Sequence, residues 1–264
     1  MTSDLLRTVV AAARRAADLR AAQRQSAGAS SARAPRGPAF DERLRRPGIN
    51  VIAECKRRSP SRGVLRAAYD PASIAREYER AGAAAISVLT EPTFFDGSLD
   101  HLAAVRQAVD LPLLRKDFIV TDYQVDESVG AGADAVLLIV GALEPPALAR
   151  LLSRARAAGL AALVEVHDRD ELQIALDAGA TNVGVNSRNL HTLDVSIDTF
   201  DGLAPHLPRG VAAVAESGLR SGADLARLHR SRYDAFLIGE RFMTAASPGA
   251  ALADLRRAAE QGAA

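Results

Sequence analysis

The sequence has few of the features that would indicate a disulfide-stabilised, membrane-spanning or nucleic-acid-binding protein. It has one cysteine among 264 residues, so no disulfide can form within the chain, and a reducing cytoplasmic location is expected. No apolar run approaches the roughly 18 residues that a membrane-spanning helix needs. The formal net charge is only +1, so neither a nucleic acid nor a membrane surface is expected as a partner.

What the chain does have is a regular alternation of short apolar runs and helical stretches. Eight runs are predicted strands: Val51–Cys55, Ala84–Leu89, Pro112–Arg115, Ala135–Val140, Ala161–Val166, Asn182–Asn186, Val211–Ala215 and Ala235–Ile238. Eight βα units in about 215 residues favour an α/β fold of the (β/α)8 TIM barrel type. An open doubly wound sheet is the alternative, but it would need a glycine-rich turn after the first strand, where this chain has Lys56–Pro60.

One domain is expected over residues 1–264, because this length and a hydrophobic content of 48% suit one large core better than two. Residues 49–264 are predicted to form the barrel. Residues 1–48 are predicted to form an extension, with an amphipathic helix from about Ser3 to Gln23 followed by a mobile loop. The stretch from Gln25 to Pro38 is rich in Ser, Ala, Gly, Arg and Pro, which is typical of a loop without fixed structure.

Polar residues stand at the C-terminal tips of five different apolar runs: Glu54, Lys116, Glu165, Asn186 and Glu216. In parallel sheets this edge is where ligands bind and chemistry is done. A single polar strand end is commonly a solvated terminus, but five at one edge indicate an active site. Lys56 shares a strand face with Glu54. The resulting mixed-charge pocket can supply a cationic acid and an anionic base for proton transfers at a carbonyl and a hydroxyl.

Other reactive side chains are interpreted as structural. Cys55 has the opposite strand parity to Glu54, so it is predicted to point outward as a small buried hydrophobe rather than a catalytic thiol. The five histidines show no metal-ligand spacing, and no metal is expected. Phe94, Phe95 and Phe118 lie just past strand ends and outside predicted helices, where they form either an aromatic-binding wall or the packing of loops.

Two short segments after the last two predicted strands suit a phosphate group. Ser217-Gly218 follows the seventh strand and Gly239-Glu240 follows the eighth. A phosphate held by loop amides at these two places recurs in TIM barrels, and small residues let backbone N–H groups approach it. The alternative is that both glycines are ordinary turn glycines.

Several long motifs follow one another from Val51 to about Met243. They include Val51–Ser61, Ser87–Glu91, Leu114–Ile119, Leu163–His167, Gly184–Leu190 and Ala215–Gly218. Together they resemble the motifs of the indole-3-glycerol-phosphate synthase family of tryptophan biosynthesis. The resemblance implies a carboxy-lyase that converts 1-(2-carboxyphenylamino)-1-deoxyribulose 5-phosphate to indole-3-glycerol phosphate by ring closure, decarboxylation and dehydration. It implies neither a metal nor an organic cofactor.

The family pattern also implies roles for individual residues. Lys116 would be the general acid of ring closure, and Glu165 the acid/base carboxylate of ring closure and dehydration. Lys56 is a second candidate for the dehydration acid, and the choice between the two lysines stays open. The implied catalytic residues are Lys116, Glu165, Lys56, Glu54, Asn186 and Glu216. The implied substrate-binding residues are Ser59 and Arg188 for the carboxylate, Ser217, Gly218, Gly239 and Glu240 for the phosphate, and Phe95, Phe118, Leu137 and Leu190 for the aryl ring.

Two rival functions are weighed against this one. Phosphoribosylanthranilate isomerase is a barrel that binds phosphate in the same way. Its family uses a cysteine base at the first strand, however, and Cys55 has the wrong parity for that role. A catalytically inactive barrel that senses phosphorylated metabolites would not need the acid–base residues. The expected partner is a small phosphorylated substrate. The chain is expected to be a monomer, and the resemblance suggests association with other tryptophan-pathway enzymes.

Overall fold

The computed structural model describes residues 5–25, 39–190 and 192–263. Its strands are β1 (Asn50–Cys55), β2 (Arg58–Ser59), β3 (Gly63–Val64), β4 (Ala85–Leu89), β5 (Leu113–Lys116), β6 (Ala135–Ile139), β7 (Ala161–Val166), β8 (Asn182–Asn186), β9 (Ala212–Glu216) and β10 (Ala235–Ile238). β2 and β3 form a small antiparallel hairpin. The other eight are parallel and close into a barrel in the order β1-β10-β9-β8-β7-β6-β5-β4, which confirms the predicted (β/α)8 architecture.

Helices alternate with the strands along the described part of the chain. They are α1 (Leu5–Gln25), α2 (Phe40–Leu44), α3 (Pro71–Arg80), α4 (Pro92–Phe95), α5 (Leu99–Ala108), α6 (Asp122–Gly130), α7 (Pro145–Ala157), α8 (Arg169–Asp177), α9 (Asp198–Leu203), α10 (Gly222–Ser231), α11 (Glu240–Met243) and α12 (Pro248–Ala263). Local signals fix where several begin. Asp70 caps α3 ahead of Pro71, and Thr121 and Ser221 form capping boxes at α6 and α10. None of the described helices is long and apolar enough to cross a membrane.

The alternation of side chains along each strand separates two apolar layers. One fills the barrel interior and includes Ile52, Leu114 and Leu163. The other lies between the barrel and its helices and includes Val51 and Cys55. Cys55 is fully buried in this outer layer, as its parity predicts. Glu54 therefore continues the interior face of β1 and ends at the C-terminal mouth of the barrel.

A short helix that the sequence analysis missed closes the opposite end. Phe40 and Leu44 of α2 are buried in the same cluster as the interior-facing strand residues. The Arg45 guanidinium donates to the carbonyls of Thr181 and Gly210, which precede β8 and β9. The segment ahead of the barrel therefore supplies part of its core. The mobile loop predicted for Gln25 to Pro38 lies outside the described residues except for Gln25, which ends α1.

Candidate active site

A cavity of about 540 Å³ opens at the C-terminal mouth, within the usual range for small-molecule sites. Its walls come from the strand tips and from the loops that follow them. The predicted catalytic residues that line it are Glu54, Lys56, Lys116, Glu165, Asn186 and Glu216. The predicted substrate-binding residues that line it are Phe95, Phe118, Leu137, Arg188, Leu190, Ser217, Gly218, Gly239 and Glu240.

Lys116 lies at the centre of the polar residues. Its Nζ is 2.9 Å from Glu165 Oε2 and 3.1 Å from Glu216 Oε2. The amide of Asn186 donates to the other oxygen of Glu165, at 3.0 Å. These four side chains come from β5, β7, β8 and β9, so the barrel itself holds the acid and base groups in place. Rigid strands position such groups more accurately than loops do.

Burial and charge separate the proton affinities of the two carboxyl groups. Burial raises the pKa of Glu216 to about 7, since the attraction of Lys116 only partly opposes it and the negative charge of Glu165 adds to it. Burial acts in the same direction on Glu165, but the attraction of Lys116 and other polar contacts overcome it and lower the pKa of Glu165 to about 2. Burial disfavours the ammonium of Lys116, yet the surrounding glutamates raise its pKa well above the ordinary value. Near neutral pH the site therefore contains a carboxylate, an ammonium and a carboxyl group that can hold a proton.

A second ion pair joins Lys56 to Glu54 across 2.6 Å. Glycines leave room for the acidic side chains. A Cβ at Gly239 would lie 2.2 Å from Glu54 Oε1, and a Cβ at Gly184 would lie 2.0 Å from Glu216 Oε1. Such distances are too short for real Cβ contacts, so both positions require glycine as long as these carboxylates stay where they are. Gly184 is therefore a site residue that the sequence analysis missed.

One side of the cavity is apolar and includes Phe95, Phe118, Leu137 and Leu190. Contrary to the sequence analysis, Phe94 and Phe95 belong to a one-turn helix, α4. The Glu91 carboxylate caps it by accepting the backbone N–H groups of Thr93, Phe94 and Phe95. Phe95 lines the cavity, whereas Phe94 does not line it.

The cavity is also lined by the two segments predicted to hold a phosphate. Ser217 and Gly218 both have left-handed backbones, with φ of 67° and 71°. A Cβ at Gly218 would also lie 2.8 Å from Val195 Cγ1, so glycine is favoured there by conformation and by space. The side chain of Glu240 pairs with Arg62 across 3.1 Å.

Ser59 is the predicted substrate-binding residue that does not line the cavity. It is buried in β2, and its hydroxyl accepts the backbone N–H of Arg62 at 3.2 Å. The β2–β3 hairpin turns Ser59 inward and instead presents Ser61 and Arg62 to the cavity. The direction of that hairpin cannot be read from strand parity, because it depends on the turn that joins the two short strands.

Comparison with known proteins agrees with this geometry. The model of the indole-3-glycerol phosphate synthase family matches residues 6–255. This chain belongs to that family. A relative named indole-3-glycerol phosphate synthase, from Parafrankia sp. (strain EAN1pec), is 56% identical over 212 residues, which are 80% of this chain and 79% of the relative. One of the same name from Mycolicibacterium gilvum (strain PYR-GCK) is 54% identical over 227 residues, or 85% and 84% of the two chains.

Solved structures show the fold alone. The 3-hexulose-6-phosphate synthase from Salmonella typhimurium superposes with a TM-score of 0.65 at 15% identity, covering 81% of this chain and 99% of its own. A thiamine phosphate pyrophosphorylase from Pyrococcus furiosus gives 0.61 at 18% identity, covering 84% and 98%. The family resemblance noted in the sequence is thus confirmed by the relatives, and the barrel by the structures.

The indole-3-glycerol phosphate synthase motif at Leu114–Ile119 contains a buried arginine that the sequence analysis did not interpret. Arg115 is only 1% exposed and faces the outer layer. Its guanidinium pairs with Asp117 Oδ2 at 2.8 Å, and Asp117 Oδ1 accepts the backbone N–H of Phe118 at 2.8 Å. Arg115 thereby fixes the turn that carries Lys116 and Phe118. The sequence offered a signal for this role, because the alternation of side chains along the strand places Arg115 on the outer face of the barrel, among apolar residues.

Within the described part of the chain, no group of three or more His, Cys, Asp or Glu residues could hold a metal ion.

Proposed function

We propose that this chain converts 1-(2-carboxyphenylamino)-1-deoxyribulose 5-phosphate to indole-3-glycerol phosphate. Membership of the indole-3-glycerol phosphate synthase family supports this reaction, which makes the chain a carboxy-lyase of tryptophan biosynthesis. The observation that carries the assignment of the site is the contact of 2.9 Å between Lys116 Nζ and Glu165 Oε2 inside a cavity lined by both apolar and polar side chains. An arylamine with a phosphorylated sugar chain likewise has an apolar part and a polar part.

The proposed first step is ring closure. The aryl carbon that bears the carboxylate attacks the ribulose carbonyl, and the Lys116 ammonium donates a proton to the carbonyl oxygen. Carbon dioxide then leaves and the ring regains its aromatic electrons. Glu165 supports this role for Lys116, because its negative charge keeps the ammonium protonated until substrate binds. Donation to an oxygen that is gaining negative charge is the kind of interaction that strengthens in the transition state.

The proposed second step is loss of water. Lys56 gives a proton to the departing hydroxyl, and Glu165 takes the proton that leaves carbon as the indole double bond forms. Glu54 supports the assignment, because its carboxylate holds the Lys56 ammonium at 2.6 Å. We assign to Glu54 and Glu216 the role of orienting the two lysines. Asn186 is assigned the role of orienting Glu165.

Binding of the substrate is assigned to three parts of the cavity. Phe95, Phe118, Leu137 and Leu190 would contact the aryl ring. Arg188 would pair with the carboxylate, and its backbone N–H already donates to Asn186 Oδ1 at 3.0 Å. The backbones of Ser217, Gly218, Gly239 and Glu240 would bind the phosphate. Arg62 lines this part of the cavity and pairs with Glu240 at 3.1 Å, so a phosphate bound there would compete with the Glu240 carboxylate for its guanidinium.

We propose further that residues 1–264 act as one domain, with 1–48 as an extension of the barrel at 49–264, and that the protein is a cytoplasmic monomer able to associate with other enzymes of tryptophan synthesis. The insertion of Phe40 and Leu44 into the barrel core supports the single domain. Light scattering behind a sizing column, with and without those enzymes, tests the oligomeric state and the association.

The decisive experiment supplies the carboxyphenylamino-ribulose phosphate to the purified chain and follows indole fluorescence. We expect stoichiometric indole-3-glycerol phosphate and carbon dioxide. A phosphoribosylanthranilate isomerase would leave this compound unchanged, and a metabolite sensor would bind it, seen as a rise in melting temperature, without forming an indole. Either result would contradict the proposal.

A further inference from the structure

A histidine outside the assigned set lies against Glu165. His167 follows Glu165 by two residues, directly after β7, and its side chain is 16% exposed. One oxygen of Glu171, on α8, accepts the backbone N–H of His167 at 2.8 Å and lies 3.0 Å from its Nδ1. An ionised carboxylate can only accept hydrogen bonds, so Nδ1 carries a hydrogen. Glu171 therefore fixes the position and the tautomer of the imidazole.

The other ring nitrogen faces the site. His167 Nε2 is 3.5 Å from Glu165 Oε1, within ion-pair distance, and it is buried with no hydrogen-bond partner among the described residues. Leaving a buried polar atom unpaired is costly, and such atoms are uncommon in native structures. A neutral imidazole with its hydrogen on Nδ1 would turn a lone pair toward the Glu165 carboxylate. An imidazolium would instead present an N–H to it.

The groups around His167 favour the charged form. Glu165 faces it from β7, Glu171 from α8 and Glu216 from β9, while Lys116 of β5 contacts the far oxygen of Glu165. Burial opposes the charge, but the hydrogen bond to Glu171 and the negative charges of the three glutamates raise the pKa of His167 above its ordinary value. The same imidazolium is one of the charges that lower the pKa of Glu165.

We propose that His167, oriented by Glu171, is a positioning residue that keeps the Glu165 carboxylate ionised and directed into the cavity. Glu171, His167 and Glu165 form a carboxylate–imidazole–carboxylate series, with Lys116 and Asn186 on the remaining sides of Glu165. The inference rests on the proposed function, because Glu165 is the assigned acid/base group. It adds two residues, one on the loop after β7 and one on α8, to the machinery that prepares that group.

The kinetic test compares the pH dependence of kcat/KM in His167→Gln and Glu171→Gln with that of the unsubstituted protein. Glutamine at position 171 keeps the shape of glutamate and can still accept the backbone N–H, so it removes mainly the charge. Losing an opposite charge at this distance shifts a carboxyl pKa upward by about one unit or more. In His167→Gln we expect the acidic limb, which reports Glu165, to move to higher pH by about that amount, with a lower plateau. Glu171→Gln keeps the imidazole, which stays protonated over that acidic range, so there we expect a lower plateau with little movement of the limb.

Asp170→Asn is the matched control. It removes a negative charge from the first turn of the same helix at an exposed position, and its profile should coincide with that of the unsubstituted protein. An acidic limb that stays in place in His167→Gln would overturn the proposal, even if the rate falls, because a purely structural role changes the rate without moving the limb.

A second measurement needs no turnover. Histidine NMR titration should show His167 losing its proton at a higher pH than a free histidine, and at a lower pH in Glu171→Gln and in Glu165→Gln than in the unsubstituted protein. An unchanged His167 titration in both variants would overturn the proposal. Failure of the proposed function would appear separately, as no indole from the unsubstituted protein, and the titration would still decide the role of His167.

Discussion

At the scale of single residues, Lys116 is an ammonium in contact with two glutamate side chains from different strands. Such an ammonium can give a proton to a bound carbonyl only if the substrate oxygen replaces one of those glutamates as its hydrogen-bond acceptor. The position of Lys116 therefore matters as much as its charge. Acid–base catalysis by one positioned group contributes roughly 10²–10⁴-fold. Lys116→Ala and Glu165→Gln should each lower kcat by about that factor while circular dichroism shows an intact fold.

The double variant should lose much less than the product of the two single losses, because both groups act on one reaction path. Steady-state kinetics of the three proteins provide the measurement. A near-normal kcat in Lys116→Ala would remove it as the ring-closing acid and transfer that role to Lys56.

Lys56 can be separated from Lys116 by the step that fails. Lys56→Gln keeps a polar side chain but loses the ammonium that Glu54 holds at 2.6 Å. If Lys56 is the dehydration acid, ring closure and decarboxylation proceed and the hydroxylated ring accumulates, one water heavier than the product. Single-turnover reactions quenched into a mass spectrometer should detect it in Lys56→Gln and not in Lys116→Ala. Unreacted substrate alone in both variants would contradict the division of roles.

Gly239 tests whether space beside Glu54 is needed for catalysis. Its φ is −125°, which alanine can adopt, so the obstacle to a side chain is the contact of 2.2 Å with Glu54 Oε1. Gly239→Ala should push Glu54 and its partner Lys56 aside, and a displacement of about 1 Å can cost about 10²-fold in rate. We expect a fall in kcat of that order. Gly202→Ala is the control, since a Cβ there meets nothing within 4 Å and kcat should not change.

At the scale of elements, the sequence predicts the barrel strands well because each is a short apolar run and a helical stretch separates it from the next. β7, β8 and β10 begin and end at the predicted residues, and the others differ by one or two. Sequence periodicity does not predict α2, because Phe40–Leu44 is too short for a helical period to be visible. Its two apolar side chains can be recognised as core only when the open end of the barrel is known.

Side-chain partners across the fold are hidden from the sequence for a related reason. The polar strand tips are brought together by the closed sheet, and their meeting can be inferred from topology alone. The inward turn of Ser59 depends on the β2–β3 hairpin. The contact of Glu171 with His167 is local, because it joins residues four apart where the chain enters α8, but that spacing alone does not show that the imidazole also faces Glu165.

The α2 helix can be tested as part of the barrel core. Leu44 is fully buried among the interior strand residues, and truncating such a leucine to alanine typically costs 2–5 kcal/mol. Leu44→Ala should lower the free energy of unfolding in urea by about 3 kcal/mol. The folded fraction should retain its kcat, since the site lies at the opposite end of the barrel.

Leu19→Ala on α1 is the comparison for Leu44→Ala. Leu19 is 62% exposed, so the free energy of unfolding should change by no more than about 0.5 kcal/mol. Equal effects of the two substitutions would mean that α2 does not contribute to the core.

At the scale of the whole molecule, stability and activity are concentrated at different places. The interior layer, the outer layer and α2 bury apolar side chains, while the mouth buries charges that are held together for catalysis. Buried charges are retained at active sites at a cost to the fold, which substitutions at the mouth can relieve. The cost of these buried groups to the stability of the fold depends on pH, because the two carboxyl groups beside Lys116 have pKa values shifted in opposite directions.

Glu216 makes this dependence measurable. Its pKa is raised by burial from 4.5 to about 7, so between these values the folded chain binds more protons than the unfolded chain, and the free energy of unfolding falls as pH rises. Glu165, lowered to about 2, acts in a different window, where stability is lost as pH falls below 4.5. Glu216→Gln should therefore gain stability relative to the unsubstituted protein between about pH 5 and 8, by on the order of a few kcal/mol. Urea unfolding at several pH values measures the free energy of unfolding of both proteins. If the two plots of that free energy against pH stay parallel throughout, Glu216 is ionised in the folded chain even at pH 5, and the prediction is wrong.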